Sequence, residues 1–185
     1  MKPSDSKLEQ WLNLAMLFLT NILSKKKSVT NKQESMSILD IARTQLGKCE
    51  NPKGSNKGAD IDRYLASVGI YSPAPWCMAF VYWTVEQYCR QYKRPNPLFK
   101  TGSVLQQWHQ RPVLEVEVPQ AGDIFIIDYG SGKGHTGFIE RVEGDYIFTI
   151  EGNSNDDGSS EGYEVCRGKR KINTIKAFLR PIFVE

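Results

Sequence analysis

The chain has 185 residues, of which 40% are hydrophobic and 24% are charged, and it carries 24 Lys and Arg against 21 Asp and Glu. This composition excludes a wholly disordered chain, and the length fits one domain with some additional sequence. Residues 1–36 hold six Lys and three acidic residues, which accounts for the net charge of +3, and residues 37–185 are neutral. A neutral body is not expected to bind nucleic acid, because phosphate neutralisation needs a basic face.

The first predicted element is an amphipathic helix, followed by a polar linker that ends at residue 36. Apolar side chains recur with the helical period over residues 8–23, and three lysines follow at 25–27. This helix would dock on its own domain or on a protein partner, lie on a membrane surface, or act as an uncleaved export signal; residues 8–27 therefore define a candidate membrane or protein contact.

A cleavable signal peptide is not expected. Asp5 and Glu9 fall in the region that such a signal keeps free of acids, and polar residues interrupt the apolar stretch. No apolar run reaches the roughly 20 residues that a membrane-spanning helix needs. The sequence thus predicts a protein made in the cytoplasm without a cleavable leader.

The body, residues 37–185, is predicted to place helices first and strands after Pro112. Helices followed by an antiparallel sheet indicate an α+β fold. The helices are predicted to start at Ser37 as N-cap, at Asp60 as N-cap, at Trp76 or Cys77, and near Thr101. The strands are predicted within 113–118, 118–128, 135–143, 145–151, 163–167 and 174–181.

The four cysteines form no CxxC pair, and with two histidines in the chain they match no zinc-finger spacing. Cys49, Cys89 and Cys166 are therefore interpreted as small buried apolar residues. Cys77 differs in position, because the prolines of residues 71–75 keep the chain extended until a helix begins at Trp76 or Cys77. Unpaired N–H groups and the positive dipole end of a helix stabilise a thiolate, so Cys77 is the candidate nucleophile.

A histidine at the start of a strand supplies the candidate base. His135 follows the glycine-rich residues 129–134. If Gly144 and Asp145 form a two-residue hairpin loop, paired residue numbers sum to about 289, and Glu151 becomes a diagonal neighbour of His135. A carboxylate at one imidazole nitrogen fixes the tautomer and leaves the other nitrogen for the thiol proton.

Other polar and aromatic residues receive other interpretations. His109 is the one rival for the base and is interpreted as structural or surface-exposed. Asp123 is expected to shape the entry to its strand, and Asp62 is read as a solvated charge. Trp76 and Tyr129 are predicted to line a substrate groove.

Three segments together resemble the CHAP family, the cysteine, histidine-dependent amidohydrolase/peptidases of the papain-like clan. Residues 54–83 contain Trp-Cys at a predicted helix start, residues 121–142 contain Gly-His at a strand start, and residues 150–154 contain Glu-Gly-Asn one strand later. The likeness extends over residues 38–183. It implies a papain-like, CHAP-type α+β domain that cleaves amide bonds in peptidoglycan, either between sugar and L-alanine or within the stem or cross-bridge peptides.

Residue by residue, the resemblance implies that Cys77 is the nucleophile, His135 the general base and Glu151 the residue that orients it. Asn153 corresponds to the accessory polar residue after the acid. Some family members carry an acidic calcium loop before the cysteine, but residues 51–55 (NPKGS) lack those acids. No metal and no other cofactor are therefore expected.

Two alternatives remain at this level. One is a catalytically idle wall-binding or interaction domain, and the other is a cysteine peptidase or acyltransferase on a substrate outside the wall. The leading interpretation, a wall hydrolase, would act in the periplasm or on the cell wall. A lysin and an antibacterial effector fit it equally well.

Overall fold

The computed structural model describes residues 36–155 and 162–183. The predicted N-terminal helix and nearly all of its linker lie outside these residues. The division of the chain at residue 36 therefore stays a prediction. Among the described residues, no helix has the length and apolarity needed to cross a membrane.

Within residues 36–155 and 162–183, four α-helices pack on one six-stranded antiparallel sheet, which confirms the predicted α+β fold class. The helices are α1 (Ile38–Thr44), α2 (Ala59–Ser67), α3 (Cys77–Gln91) and α4 (Val104–Gln110). The strands are β1 (Glu115–Val116), β2 (Ile124–Gly130), β3 (Lys133–Glu143), β4 (Tyr146–Ser154), β5 (Glu164–Lys171) and β6 (Ala177–Leu179). Their order in the sheet is β1-β6-β2-β3-β4-β5. Short 3₁₀ helices occupy Pro112–Leu114 and Ile172–Thr174.

Helix α1 begins as predicted, whereas the start of α2 differs. The Ser37 hydroxyl accepts the backbone N–H of Asp40, and the Asp40 carboxylate accepts the backbone N–H of Ser37, which forms a capping box. The N-cap of α2 is Gly58 rather than Asp60. The predicted N-cap, Asp60, is therefore two residues too late in the chain. The Asp60 carboxylate lies in the first turn of α2 and pairs with Lys48 at 3.3 Å.

Helix α3 is the central element of the core and starts at Cys77, with Trp76 as its N-cap. The Phe80 ring packs edge-on against Phe138 of β3, with ring centroids 6.0 Å apart. Strand β4 approaches α3 closely at Gly152, where a Cβ atom would lie 2.8 Å from Cβ of Phe80 and 2.7 Å from Trp76 Cζ3. This contact holds the end of β4 beside the start of α3.

The β3–β4 hairpin has the predicted two-residue loop, because Glu143 pairs with Tyr146. Near this loop the paired residue numbers sum to 289, as expected, but a bulge between Ile139 and Arg141 changes the sum to 288. At the sheet margins the predictions were less accurate. The first strand is only two residues long, because the residues before it form a 3₁₀ helix, and β5 extends four residues beyond its predicted end at 167.

We predict that Gly152→Ala lowers the free energy of unfolding by about 3 kcal/mol, because the new methyl group would overlap α3 and force backbone movement. Gly132→Ala is the matched control. A Cβ at Gly132 meets no atom within 4 Å, so only the cost of a positive φ, about 1 kcal/mol, is expected there. Urea unfolding measures both variants, and equal losses would contradict the close packing of β4 on α3.

Candidate active site

Cys77 lies at the N-terminus of α3 and lines a surface cleft. The cleft has a volume of about 610 Å³ and is also lined by Tyr129. The first backbone hydrogen bond of the helix runs from the N–H of Phe80 to the carbonyl of Trp76, at 2.9 Å. The N–H groups of residues 77–79 therefore precede the helical ladder and are oriented toward its positive end. Cys77 is 4% exposed, and its sulfur lies at the helix end whose N–H groups can donate hydrogen bonds to an oxyanion formed there.

His135 is fully buried, and its two ring nitrogens have different surroundings. Nε2 lies 2.8 Å from Oε2 of Glu151. Nδ1 is buried and has no hydrogen bond of standard geometry within the described residues, which leaves it as the ring atom available to the thiol of Cys77. Burial disfavours the charged ring, but interaction with Cys77 and then with Glu151 outweighs burial and raises the pKa of His135 to about 9. The imidazole is thus protonated at neutral pH.

The Glu151 carboxylate is fully buried and accepts hydrogen bonds from several side chains besides His135. Thr149 donates to Oε1 at 2.6 Å, and Ser154 donates to Oε2 at 3.2 Å. Arg170 binds both oxygens, with Nε at 2.7 Å from Oε1 and Nη2 at 2.5 Å from Oε2. Burial alone would raise the pKa of Glu151, but Arg170 and then His135 outweigh burial and lower it to about 2. The carboxylate is therefore ionised throughout the physiological range.

Glycines on both neighbouring strands make room for this carboxylate. A Cβ at Gly168 of β5 would lie 2.6 Å from Oε1 of Glu151, and a Cβ at Gly137 of β3 would lie 3.0 Å from Glu151 Cγ. Any side chain at Gly168 would occupy the space in which the carboxylate meets Arg170. The position of the Glu151 carboxylate thus depends on glycines in both neighbouring strands of the sheet.

Sequence reasoning did not identify Arg170, because β5 was predicted to end at residue 167. The alternation of side chains along β5 could have identified Arg170. Cys166 pairs with Glu151, so Gly168 and Arg170 lie on the same face of the sheet as that carboxylate. An arginine on a face that also carries a predicted catalytic acid is a candidate partner for it.

The two predicted substrate-contacting aromatic residues have different positions. Tyr129 is 49% exposed and lines the cleft together with Cys77, so its role in substrate binding stays a prediction. The prediction for Trp76 is wrong, because its side chain is fully buried. Its indole stacks on Tyr64 with ring centroids 5.7 Å apart, and its Nε1 donates to Oε1 of Glu50 at 2.9 Å. Trp76 supports the start of α3 from within the core.

Asn153 lies at the end of β4, two residues after Glu151, and is buried with a φ of +56°. Its backbone carbonyl accepts the N–H of Gly162 at 3.0 Å. This position lies where the register between β4 and β5 shifts, between Glu151 and Ser154. The accessory catalytic role of Asn153 stays a prediction.

The remaining candidates lie away from the pair of Cys77 and His135. His109 is exposed on α4, where its ring lies 4.8 Å from the Trp108 ring. Asp123 is buried, binds Arg180 through both oxygens and accepts the N–H of Gln120, consistent with a role at the strand entry. Cys89 and Cys166 are buried as expected.

The expectation for Cys49 is wrong, because this residue is exposed, beside a single bridge to Glu164. Within residues 36–155 and 162–183, no group of three or more His, Cys, Asp or Glu side chains is arranged to hold a metal ion.

Residues 69–153 match the family model described as CHAP domain. This match agrees with the family expected from the sequence, over a narrower span than the resemblance covered. No curated protein matches the sequence. A solved structure titled "The crystal structure of Ly7917" is similar at 19% sequence identity and a TM-score of 0.47, and the match covers 80% of this chain and 62% of that chain. The chain thus spans less than two thirds of that structure's length.

We predict that the pKa of His135 depends on the sulfur of Cys77. NMR titration of the imidazole Cε1–H signal in a His109→Gln background, which leaves one histidine to observe, should give a pKa near 9. In Cys77→Ala the pKa should fall, because the largest favourable interaction is removed while burial still opposes the charge. An unchanged pKa would show that the thiol and the ring do not interact.

We predict that Arg170→Met lowers the free energy of unfolding at pH 7 by about 3 kcal/mol, because it leaves a buried carboxylate without its main cation. Arg170→Lys should lose less, since the charge remains although the two-pronged contact does not. The exposed pair of Arg141 and Glu143 supplies the control, and Arg141→Met should cost under about 1 kcal/mol. Urea unfolding at pH 7 compares the three variants.

The same carboxylate gives stability a defined pH dependence. Because folding lowers the pKa of Glu151 from 4.5 to about 2, its contribution is present above about pH 4.5 and is lost as the pH falls toward 2. Arg170→Met should flatten this part of the profile. A variant that keeps the wild-type stability and acid profile would contradict the assigned role of Arg170.

Proposed function

We propose that this protein is a peptidoglycan hydrolase that cleaves an amide bond, as an N-acetylmuramoyl-L-alanine amidase or as a peptide endopeptidase, through a Cys-His-Glu thiol mechanism. The observation that carries the proposal is the buried sequence of contacts from Arg170 through Glu151 to His135, ending at Cys77 in an open cleft. A protein that only binds the wall has no need to keep an ionised carboxylate behind a histidine. The CHAP domain directs the proposal toward peptidoglycan.

In the proposed first half-reaction, the thiolate of Cys77 attacks the carbonyl carbon of the scissile amide. The carbonyl oxygen becomes an oxyanion, and backbone N–H groups of residues 77–79 donate hydrogen bonds to it. His135 then donates its proton to the leaving amine, the C–N bond breaks, and an acyl thioester with Cys77 remains.

In the second half-reaction, the now neutral His135 accepts a proton from water, and the water oxygen attacks the thioester carbon. The C–S bond breaks, the carboxylic acid product leaves, and the Cys77 thiolate and the His135 imidazolium are restored. His135 carries each proton that is transferred. No atom changes its oxidation state in either half-reaction, so the reaction requires no redox partner.

Glu151 and Arg170 contribute to this cycle by holding the His135 ring in position. Glu151 occupies Nε2, which holds the ring in one tautomer and turns Nδ1 toward the sulfur. Arg170 keeps Glu151 ionised in a buried setting. Asn153 is proposed as an accessory polar residue near the ring, and Tyr129 as part of the substrate groove.

The proposed substrate sets the place of action at the cell wall or in the periplasm. A lysin and an antibacterial effector would both use this reaction. Residues 8–27 are proposed to make contact with a membrane surface or a protein partner. This last part rests on the sequence alone.

We predict that Cys77→Ser and His135→Ala each lower kcat on purified murein by at least about 10³-fold, because each removes a group that takes part in bond making. Glu151→Gln should lower kcat by about 10²- to 10⁴-fold through loss of the tautomer control. His109→Ala is the matched control, since His109 is the other histidine of the chain, and it should retain full activity.

Release of soluble fragments measures these rates, and mass spectrometry of the fragments identifies the bond. A new amino terminus at L-alanine indicates an amidase, and a cut within the peptides indicates an endopeptidase. Wild-type protein that binds murein but releases nothing would contradict the proposal and favour the idle binding domain. Full activity of Cys77→Ser would exclude the thiol mechanism.

A further inference from the structure

The cleft at Cys77 is lined by cations and by no acid among the described residues. Lys100 and Lys133 both line it and are exposed, and the other described lining side chains are apolar or neutral. Within the described part of the chain, neither lysine is engaged in an ion pair. The described lining of the cleft therefore carries net positive charge, although residues 37–185 as a whole are neutral.

The two lysines come from adjacent segments of the fold. Lys133 is the first residue of β3, two positions before His135, and Lys100 precedes α4 by four residues. The segments touch at Gly134, where a Cβ would lie 3.2 Å from Cβ of Val104. Lys100 and Lys133 thus belong to segments that contact each other, and no acid is among the described residues that line the cleft.

Several arginines of the described chain are held by carboxylates, whereas Lys100 and Lys133, like most of the described lysines, make no ion pair. Arg170 is paired with Glu151, Arg180 with Asp123, and Arg43 with Glu140. Like charges that share a concave site repel one another unless an anion joins them, and low-dielectric walls increase the local potential. An anionic group of the ligand would supply the missing partner.

We infer that the cleft recognises a free carboxylate of the substrate, carried by the same peptide as the scissile amide, and that Lys100 and Lys133 bind it. This inference rests on the proposed function for the identity of the amide. A carboxylate is favoured over a phosphate because the anion must belong to the molecule whose amide carbonyl reaches Cys77. The apolar part of the cleft, formed in part by Val68 and Ile70, suits the small side chains of such a peptide.

The first test does not depend on any hydrolase activity. Iodoacetate and iodoacetamide both alkylate a thiolate with loss of iodide, but only iodoacetate carries a carboxylate. The ratio of their rates at Cys77, determined by mass spectrometry and divided by the ratio at exposed Cys49 in the same sample, measures attraction of the carboxylate into the cleft. Lys100→Gln with Lys133→Gln should lower this ratio about fivefold or more at low ionic strength, and high salt should reduce the difference.

Lys171→Gln is the matched control, because Lys171 is exposed on β5 and does not line the cleft. Its ratio should equal that of the wild type. Because both reagents report on one sulfur, the ratio remains valid even if a variant changes the reactivity of Cys77 itself. A ratio that the double variant leaves unchanged would overturn the inference.

The second test uses soluble muropeptides that carry either free or amidated carboxylates. The wild type should prefer the free carboxylate by about tenfold in kcat/KM, and the lysine variants should remove the preference mainly through KM. If no muropeptide is cleaved, the proposed function fails and the alkylation ratio still decides the carboxylate site. If free and amidated peptides are cleaved equally and the ratio is insensitive to the lysines, the inference fails and the proposed function stands.

Discussion

The carboxylate of Glu151 lies entirely out of water, and the centre of the sheet is arranged to make that position tolerable. A buried charge is costly unless hydrogen bonds and an opposite charge compensate it. Here the hydroxyls of Thr149 and Ser154 donate hydrogen bonds to the carboxylate oxygens, and Arg170 binds both oxygens. His135 contacts Oε2 through Nε2. Removal of any charged member would leave its neighbours unbalanced.

This constraint explains several features of the fold that would otherwise look unrelated. Gly137 and Gly168 leave open space on the two strands that flank Glu151, and Gly152 lets α3 approach β4. The helix start at Cys77 then meets the histidine of β3 at the cleft. Arg170 and the His135 ring compensate the charge of Glu151, which is how an ionised carboxylate persists in the interior.

Much of this site follows from short-range sequence rules. Prolines before Trp76 fix where α3 begins, and the two-residue loop at Gly144 brings Glu151 within two residues of the position opposite His135. The bulge after Ile139 was not predictable from alternation, because one extra residue leaves the polar and apolar pattern on each side intact. The bulge decides the face on which Glu151 lies. With paired numbers that sum to 288, Glu151 lies opposite Gly137 and on the same face as His135, whereas a sum of 289 would place it on the other face.

Long-range contacts account for what the sequence did not reveal. Arg170 reaches Glu151 from a strand whose end was placed too early, and its charge looked like that of an exposed edge strand. Trp76 was assigned to the groove because it adjoins Cys77. Its rotation into the core depends on Tyr64 and on Glu50, a partner 26 residues earlier in the chain. Adjacency in sequence to a nucleophile does not decide which way a side chain points at a helix N-cap.

The most direct test of the account is the rate at which iodoacetamide alkylates Cys77 near neutral pH in wild type and in Glu151→Gln. If the carboxylate holds the imidazolium against the sulfur, the variant should react at least about tenfold more slowly at Cys77, while exposed Cys49 in the same sample reacts at its wild-type rate. Equal rates at Cys77, in a variant whose near-ultraviolet circular dichroism shows native packing, would contradict the claim that the acid, the histidine and the thiol act as one unit.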